Sequence, residues 1–235
     1  MKLSDAVGEH SNYAFFGEAG CGKSEIAVNL ALALASEGKK PVRFFDLDMT
    51  KPLFRSRDVA DMLAAAGVSV EFEQQFMDAP TQVGGPAVAL RDEGCYAILD
   101  VGGDYIGAGA VGMYAQALRS SDTAALYVVN CFRPWSMEVP HIDGVLSQVL
   151  GAAHLPLEAL TFVGNPNLGA ATTQADVREG LARLRRTLGA YVPIPFACVH
   201  EGLWPMEDAE TPLAPIRLYL TYPWEQTFDN KETMQ

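Results

Sequence analysis

Residues 17–24 read Gly17-Glu18-Ala19-Gly20-Cys21-Gly22-Lys23-Ser24, which fits G-x-x-x-x-G-K-[ST], and no other stretch restricts the fold so tightly. Such a loop works only between a buried strand and the first turn of a helix. There its glycines let consecutive backbone N–H groups turn inward as an anion nest. Both flanks are present. Asn12 to Phe16 is a short apolar run ending at Gly17, and Ser24 to Ser36 carries Ile26, Ala27, Leu30, Ala31 and Leu34 at helical spacing. In this frame Gly17 to Glu25 lines a phosphate cradle, Lys23 supplies charge to the outer phosphates and Ser24 is a ligand for Mg²⁺.

The strand-then-helix alternation runs on. Gly38 stops the first long helix and Val42 to Leu47 is the next strand. Val59 to Ala66 reads as helix, Val68 to Phe72 as strand, Tyr96 to Val101 as strand and Gly109 to Arg119 as helix. Thr123 to Asn130, Leu160 to Gly164 and Val192 to Phe196 read as strands, separated by helices over Met137 to Leu150 and Gln174 to Leu188. Continuous apolar strands between helices predict a three-layer α/β/α domain with a mostly parallel sheet covered on both faces. At 235 residues one domain is expected, with a core from about 12 to 196 and a C-terminal extension over 197–235. Ligands of such sheets bind beyond the carboxyl ends of the strands, so the chemistry belongs in the loops after Phe16, Leu47, Val101, Asn130 and Gly164.

Composition narrows the partners. A formal net charge of -12 and a pI near 4.7 count against unaided binding to DNA or anionic lipid. No apolar run is long enough for a bilayer, Met1 to Asn12 has no apolar core of a secretory signal, and the four cysteines show no C-x-x-C spacing. A cytoplasmic protein with reduced thiols is expected. His10, His141, His154 and His200 are dispersed without metal-ligand spacing, and no G-x-S-x-G elbow is present.

Two further carboxylate elements sit at predicted strand ends. Asp46-Leu47-Asp48 closes the second strand, where a carboxylate facing the nest can hold magnesium-bound water or orient an attacking one; a turn or cap role is the alternative. Ile98-Leu99-Asp100-Val101-Gly102-Gly103-Asp104 ends a strand in the manner of a Walker B carboxylate, with Gly102-Gly103 placed to sense a terminal phosphate. This order of elements resembles the MinD/ParA/CobQ-type P-loop ATPases of the SIMIBI class over most of the chain. The resemblance implies Mg-ATP binding, slow hydrolysis and a nucleotide-dependent homodimer that switches a protein client. By position it makes Lys23, Asp46 and Asp48 catalytic, Ser24, Asp48 and Asp100 metal-associated, and Gly103 part of the second switch. It also implies that Asn165 reads the adenine, unless it is only a turn residue before Pro166, and that the segment holding Pro195 closes over the base.

The chain departs from that family at Glu18, where most members carry a lysine that reaches the partner's phosphates. A carboxylate there would repel a triphosphate, so it must point away or pair with a cation. Lys51, Arg55 and Arg57 are candidate partners and candidate phosphate ligands, or else surface charges. Phe132-Arg133-Pro134-Trp135 follows a strand at the ligand edge, a position open to contact with nucleotide or a partner. The stretch Asp104 to Gly109 has no cluster-binding cysteine, and the proline-bearing, acidic end of the chain is unlike a basic membrane helix. A ligase or kinase of the CobQ and dethiobiotin-synthetase type, phosphorylating a small acid, is the competing function, and a nucleotide-binding module with little hydrolysis is a third.

Overall fold

Five consecutive buried residues, Asn12–Phe16, form the first strand (β1), and the chain alternates from there. The structure, a computed structural model, describes residues 1–48, 56–72 and 85–220, without the side chain of Arg57. A short helix α1 (Leu3–Val7) precedes β1. Then come α2 (Lys23–Glu37), β2 (Val42–Leu47), α3 (Ala60–Ala65), β3 (Val68–Phe72), α4 (Pro86–Ala89) and β4 (Tyr96–Val101). They are followed by α5 (Tyr105–Val111), α6 (Ala115–Leu118), β5 (Thr123–Val129), α7 (Val139–Ala153), β6 (Leu160–Gly164), α8 (Gln174–Leu188), β7 (Phe196–His200) and β8 (Leu213–Ile216). The described strands form one sheet in the order β3-β2-β4-β1-β5-β6-β7-β8, every pairing parallel. The expected fold class therefore holds.

Side-chain alternation sends the two faces of each strand into separate cores. Tyr13 and Phe15 of β1 pack with Ile26, Leu30 and Leu34 of α2 and with Leu3 and Leu63. Ala14 and Phe16 pack on the other face with Leu99, Val129, Leu146 and Val149. Each fully buried large apolar side chain contributes about 1.5–3 kcal/mol, so β1, buried at every position, anchors the loop that leaves it.

Three expectations about elements change. The helix read over Gly109 to Arg119 is α5, a 3₁₀ turn at Gly112–Tyr114 and α6, and it begins at Tyr105. Asp104 starts it, its Oδ1 accepting the Gly107 N–H at 2.8 Å. The seventh strand is Phe196–His200 rather than Val192 to Phe196. Pro193 and Pro195 cannot donate to a ladder, so pairing starts only at Phe196, beside Val163. The sheet also continues past residue 196 into β8, an edge strand that accommodates Pro215.

The loop between β7 and β8 is fastened to α8. Arg185 Nη1 donates to Asp208 Oδ1 at 2.8 Å, and the same oxygen accepts the Thr211 and Glu210 amides. Burial pushes the Asp208 pKa up, but the Arg185 hydrogen bond and the two amides outweigh it and hold it below the usual carboxylate value. A depressed folded-state pKa gives stability that is present above the unfolded value and lost as pH falls through the folded one. Asp208→Asn should thus cost about 1–2 kcal/mol in urea melts at pH 7. The deficit should shrink as pH drops below about 4, where the unfolded carboxylate protonates.

Candidate functional site

The glycine loop lies between β1 and α2, where the sequence places it. Gly17 to Gly22 leaves β1 and α2 opens at Lys23, with Ile26 N–H making the first α2 bond to Gly22 O. The N–H groups of Lys23, Ser24 and Glu25 precede that ladder, and the positive end of the α2 dipole points the same way. Gly22 has φ +97° and lies against Asn165, so a Cβ there would strike the Asn165 amide.

Lys23 and Asp48 are both almost fully buried, 2% and 3% exposed, with Nζ 4.0 Å from Oδ2. Asp46 Oδ1 accepts the Asp48 N–H at 3.0 Å. One Asp46 oxygen thus shapes the turn that presents Asp48. In the β2–β4 register Asp46 stands beside Asp100. Asp100 Oδ2 accepts a 2.9 Å hydrogen bond from Ser56, a buried residue the sequence reading left without a role. Ser24 Oγ is buried and has no hydrogen-bond partner among the described residues.

These residues fit magnesium. The ion binds through few protein oxygens, completing its shell with water and phosphate. A buried hydroxyl lacking a partner, flanked by strand-end carboxylates, is such a donor set. When bound, Mg²⁺ supplies charge neutralisation at the phosphates. Ser24 would ligate it, with Asp48 and Asp100 holding its water.

Gly103 closes the cradle from the β4 side. A Cβ on it would stand 2.6 Å from Ala19 N and 3.0 Å from Lys23 Nζ, so the Walker B glycine rests on the phosphate loop itself. The neighbouring Gly102 touches Gly107 of α5 backbone to backbone.

Glu18 does not face the cradle as a free charge. It is 7% exposed and its Oε2 accepts a 2.7 Å hydrogen bond from Ser136 Oγ. Lys51 and Arg55, with the Arg57 side chain, lie outside the described residues. Behind the loop, burial and then the neighbouring Cys21 and Glu18 push the Tyr127 pKa up, which keeps that phenol neutral. The Glu25 carboxylate is also engaged: it accepts the backbone N–H groups of Tyr219 and Leu220, leaving its own amide to the cradle.

Asn165 follows β6, 2% exposed, and its Nδ2 donates to Cys21 O at 2.8 Å. It therefore braces the phosphate loop. Its Oδ1 is buried and has no partner among the described residues. Because β7 begins at Phe196 opposite Val163, Pro195 is level with Phe162, about 10 Å short of Asn165 along the strands. The residues that leave β7 at the carboxyl edge are Glu201–Leu203. Cys131, which follows β5, is buried with its Sγ on Gly180 O, and burial raises its pKa to about 11.

The segment from Asn130 to Ser136 is the part that sequence reasoning underweighted. Its Arg133 Nε donates to Gly20 O at 2.8 Å, 113 residues away in the chain. A cavity of about 430 Å³ opens there, lined by Glu18, Ala19, Gly103, Tyr105, Arg133 and Trp135 among others. The only sequence signal was an arginine beside a strand end on the ligand edge.

No protein-family model and no curated protein matches the chain. Solved structures do. The signal recognition particle receptor FtsY from Elizabethkingia anophelis, in complex with GDP, matches with TM-score 0.50 and 16% identity, over 83% of this chain and 58% of that one. Chloroplast FtsY from Physcomitrella patens matches with TM-score 0.50 and 15% identity, over 86% of this chain and 63% of that one. The chain thus spans less than two thirds of the length of these structures. Among the described residues no helix is long and apolar enough to cross a membrane. The likeness is one of fold: these structures share the α/β architecture of this chain, whose described strands form one parallel sheet.

Proposed function

We propose that the protein is a magnesium-dependent nucleoside triphosphate switch, a slow hydrolase whose bound nucleotide governs a homodimer and a protein client. The observation that carries this reading is the buried Lys23–Asp48 pair beside the partnerless Ser24 hydroxyl, at the mouth of a glycine loop capped by Gly103. ATP is the nucleotide the sequence resemblance implies, and the Asn165 Oδ1 acceptor suits the exocyclic amino group of adenine. GDP in the Elizabethkingia FtsY structure makes guanine the competing base. Exposed Tyr105, Ile106, Trp135 and Met137 rim the same edge and supply the apolar surface a partner would cover. The second reading, phosphorylation of a small acid, is favoured by the 430 Å³ cavity beside the loop.

One measurement separates them: binding, turnover and apparent mass with Mg-ATP, Mg-GTP, the diphosphates or no nucleotide. The switch predicts that one triphosphate binds, turns over slowly and shifts the mass to a dimer. Turnover that appears only with added small carboxylic acids, at constant mass, supports the second reading. Binding of neither triphosphate refutes both.

A further inference from the structure

Resting on that nucleotide-binding reading, we propose that Arg133 is a phosphate-contacting residue, supplying in cis the positive charge that Glu18 withholds, and that Glu18 and Ser136 are its positioning residues. The segment Asn130 to Ser136 is tied across the phosphate loop at two points. Ser136 Oγ donates to Glu18 Oε2 at 2.7 Å, and Arg133 Nε donates to Gly20 O at 2.8 Å. Backbone bonds make the segment stiff between those points, with Arg133 N–H on Asn130 O and Ser136 N–H on Arg133 O. Asn130 itself is held by the Phe132 amide and by Asn167 O. The carboxylate at the second loop position is therefore a fastening. Its bond to Ser136 brings an arginine over the loop.

The guanidinium lies along Gly20, whose Cβ position would be 3.5 Å from both Cζ and Nε of Arg133 and 3.9 Å from Nη2. With Nε spent on the loop carbonyl, Nη1 and Nη2 have no partner among the described residues. Arg133 borders the cavity together with Ala19 and Gly103, and Gly103 is the residue seated against Lys23 Nζ. That places the free guanidinium edge at the outer-phosphate end of the cradle. A planar donor with its Nη1 and Nη2 groups free is suited to bridging phosphate oxygens. Placed there it discriminates a triphosphate from a diphosphate.

The test is the affinity of fluorescent-labelled ATP, ADP, GTP and GDP, with Mg²⁺, for wild type, Arg133→Ala, Arg133→Gln and Ser136→Ala. Arg133→Gln keeps a donor for Gly20 O while removing the charge, so it remains informative if Arg133→Ala folds poorly. We expect both Arg133 variants to bind the triphosphate about tenfold or more weakly and the diphosphate within about twofold. Ser136→Ala should fall between, and Arg133→Gln/Ser136→Ala should be no worse than Arg133→Gln alone, because Ser136 acts through Arg133. Equal losses for both nucleotides, or no loss in a folded Arg133→Gln, overturn the proposal while leaving the switch standing. If wild type binds none of the nucleotides, the switch reading falls and this one with it.

Discussion

Lys23→Ala will lower affinity for the Mg-triphosphate by about 100-fold or more, roughly 3 kcal/mol, because it deletes a buried ammonium at the glycine loop. The same change has a second effect that a surface lysine would not. Asp48 is 3% exposed, and Lys23 Nζ stands 4.0 Å from its Oδ2. Without it the buried Asp48 carboxylate loses that partner, and removing one partner of a buried pair costs about 3–5 kcal/mol. Thermal unfolding of Lys23→Ala should therefore drop clearly. Lys23→Met/Asp48→Asn, which removes charge from both sides, should recover most of the stability and none of the nucleotide binding. Recovery of binding in the double variant would show that Lys23 serves the fold and not the phosphates.

How far this site was readable from the sequence follows from how local its parts are. The cradle, its helix and the strand before it are contiguous over residues 12–37, and their periodicity reveals them directly. Asp48 and Asp100 were readable because each ends a buried apolar strand, and parallel strands deliver their carboxyl ends to one edge. The Glu18–Ser136 and Arg133–Gly20 contacts join residues more than 100 positions apart, and nothing local marks them. The start of α5 was missed because its signal is one capping aspartate, Asp104, ahead of a glycine-rich run that resembles a turn. The seventh strand starts four residues later than its apolar run suggests. A run of Val, Pro and Ile looks apolar enough for a strand, while its prolines deny it a ladder.

Gly103→Ala will separate binding from turnover. Its Cβ would come within 2.6 Å of Ala19 N and 2.8 Å of Ala19 Cα, backbone atoms that cannot rotate away. The β4 loop must then back off by about 0.5–1 Å, and misplacement on that scale costs about 100-fold in rate when a reacting geometry depends on it. The cradle's glycines and Lys23 keep their places, so nucleotide affinity should stay within about fivefold. Gly102 meets Gly107 on the opposite side, so the loop is clamped between the phosphate cradle and α5. Any displacement of Gly103 by a terminal phosphate must then either shift α5 or break that contact. The exposed Tyr105 and Ile106 ride on α5, which gives a route from phosphate to partner surface. Gly107→Ala tests the clamp, because helix propensity alone would favour alanine by about 1 kcal/mol. Overlap with the Gly102 backbone reverses that sign, so we expect a lower melting temperature and a dimer that no longer responds to nucleotide. A stabilised Gly107→Ala protein with intact nucleotide-dependent dimerisation would mean that α5 moves freely of the Walker B loop, and the switch would need another path.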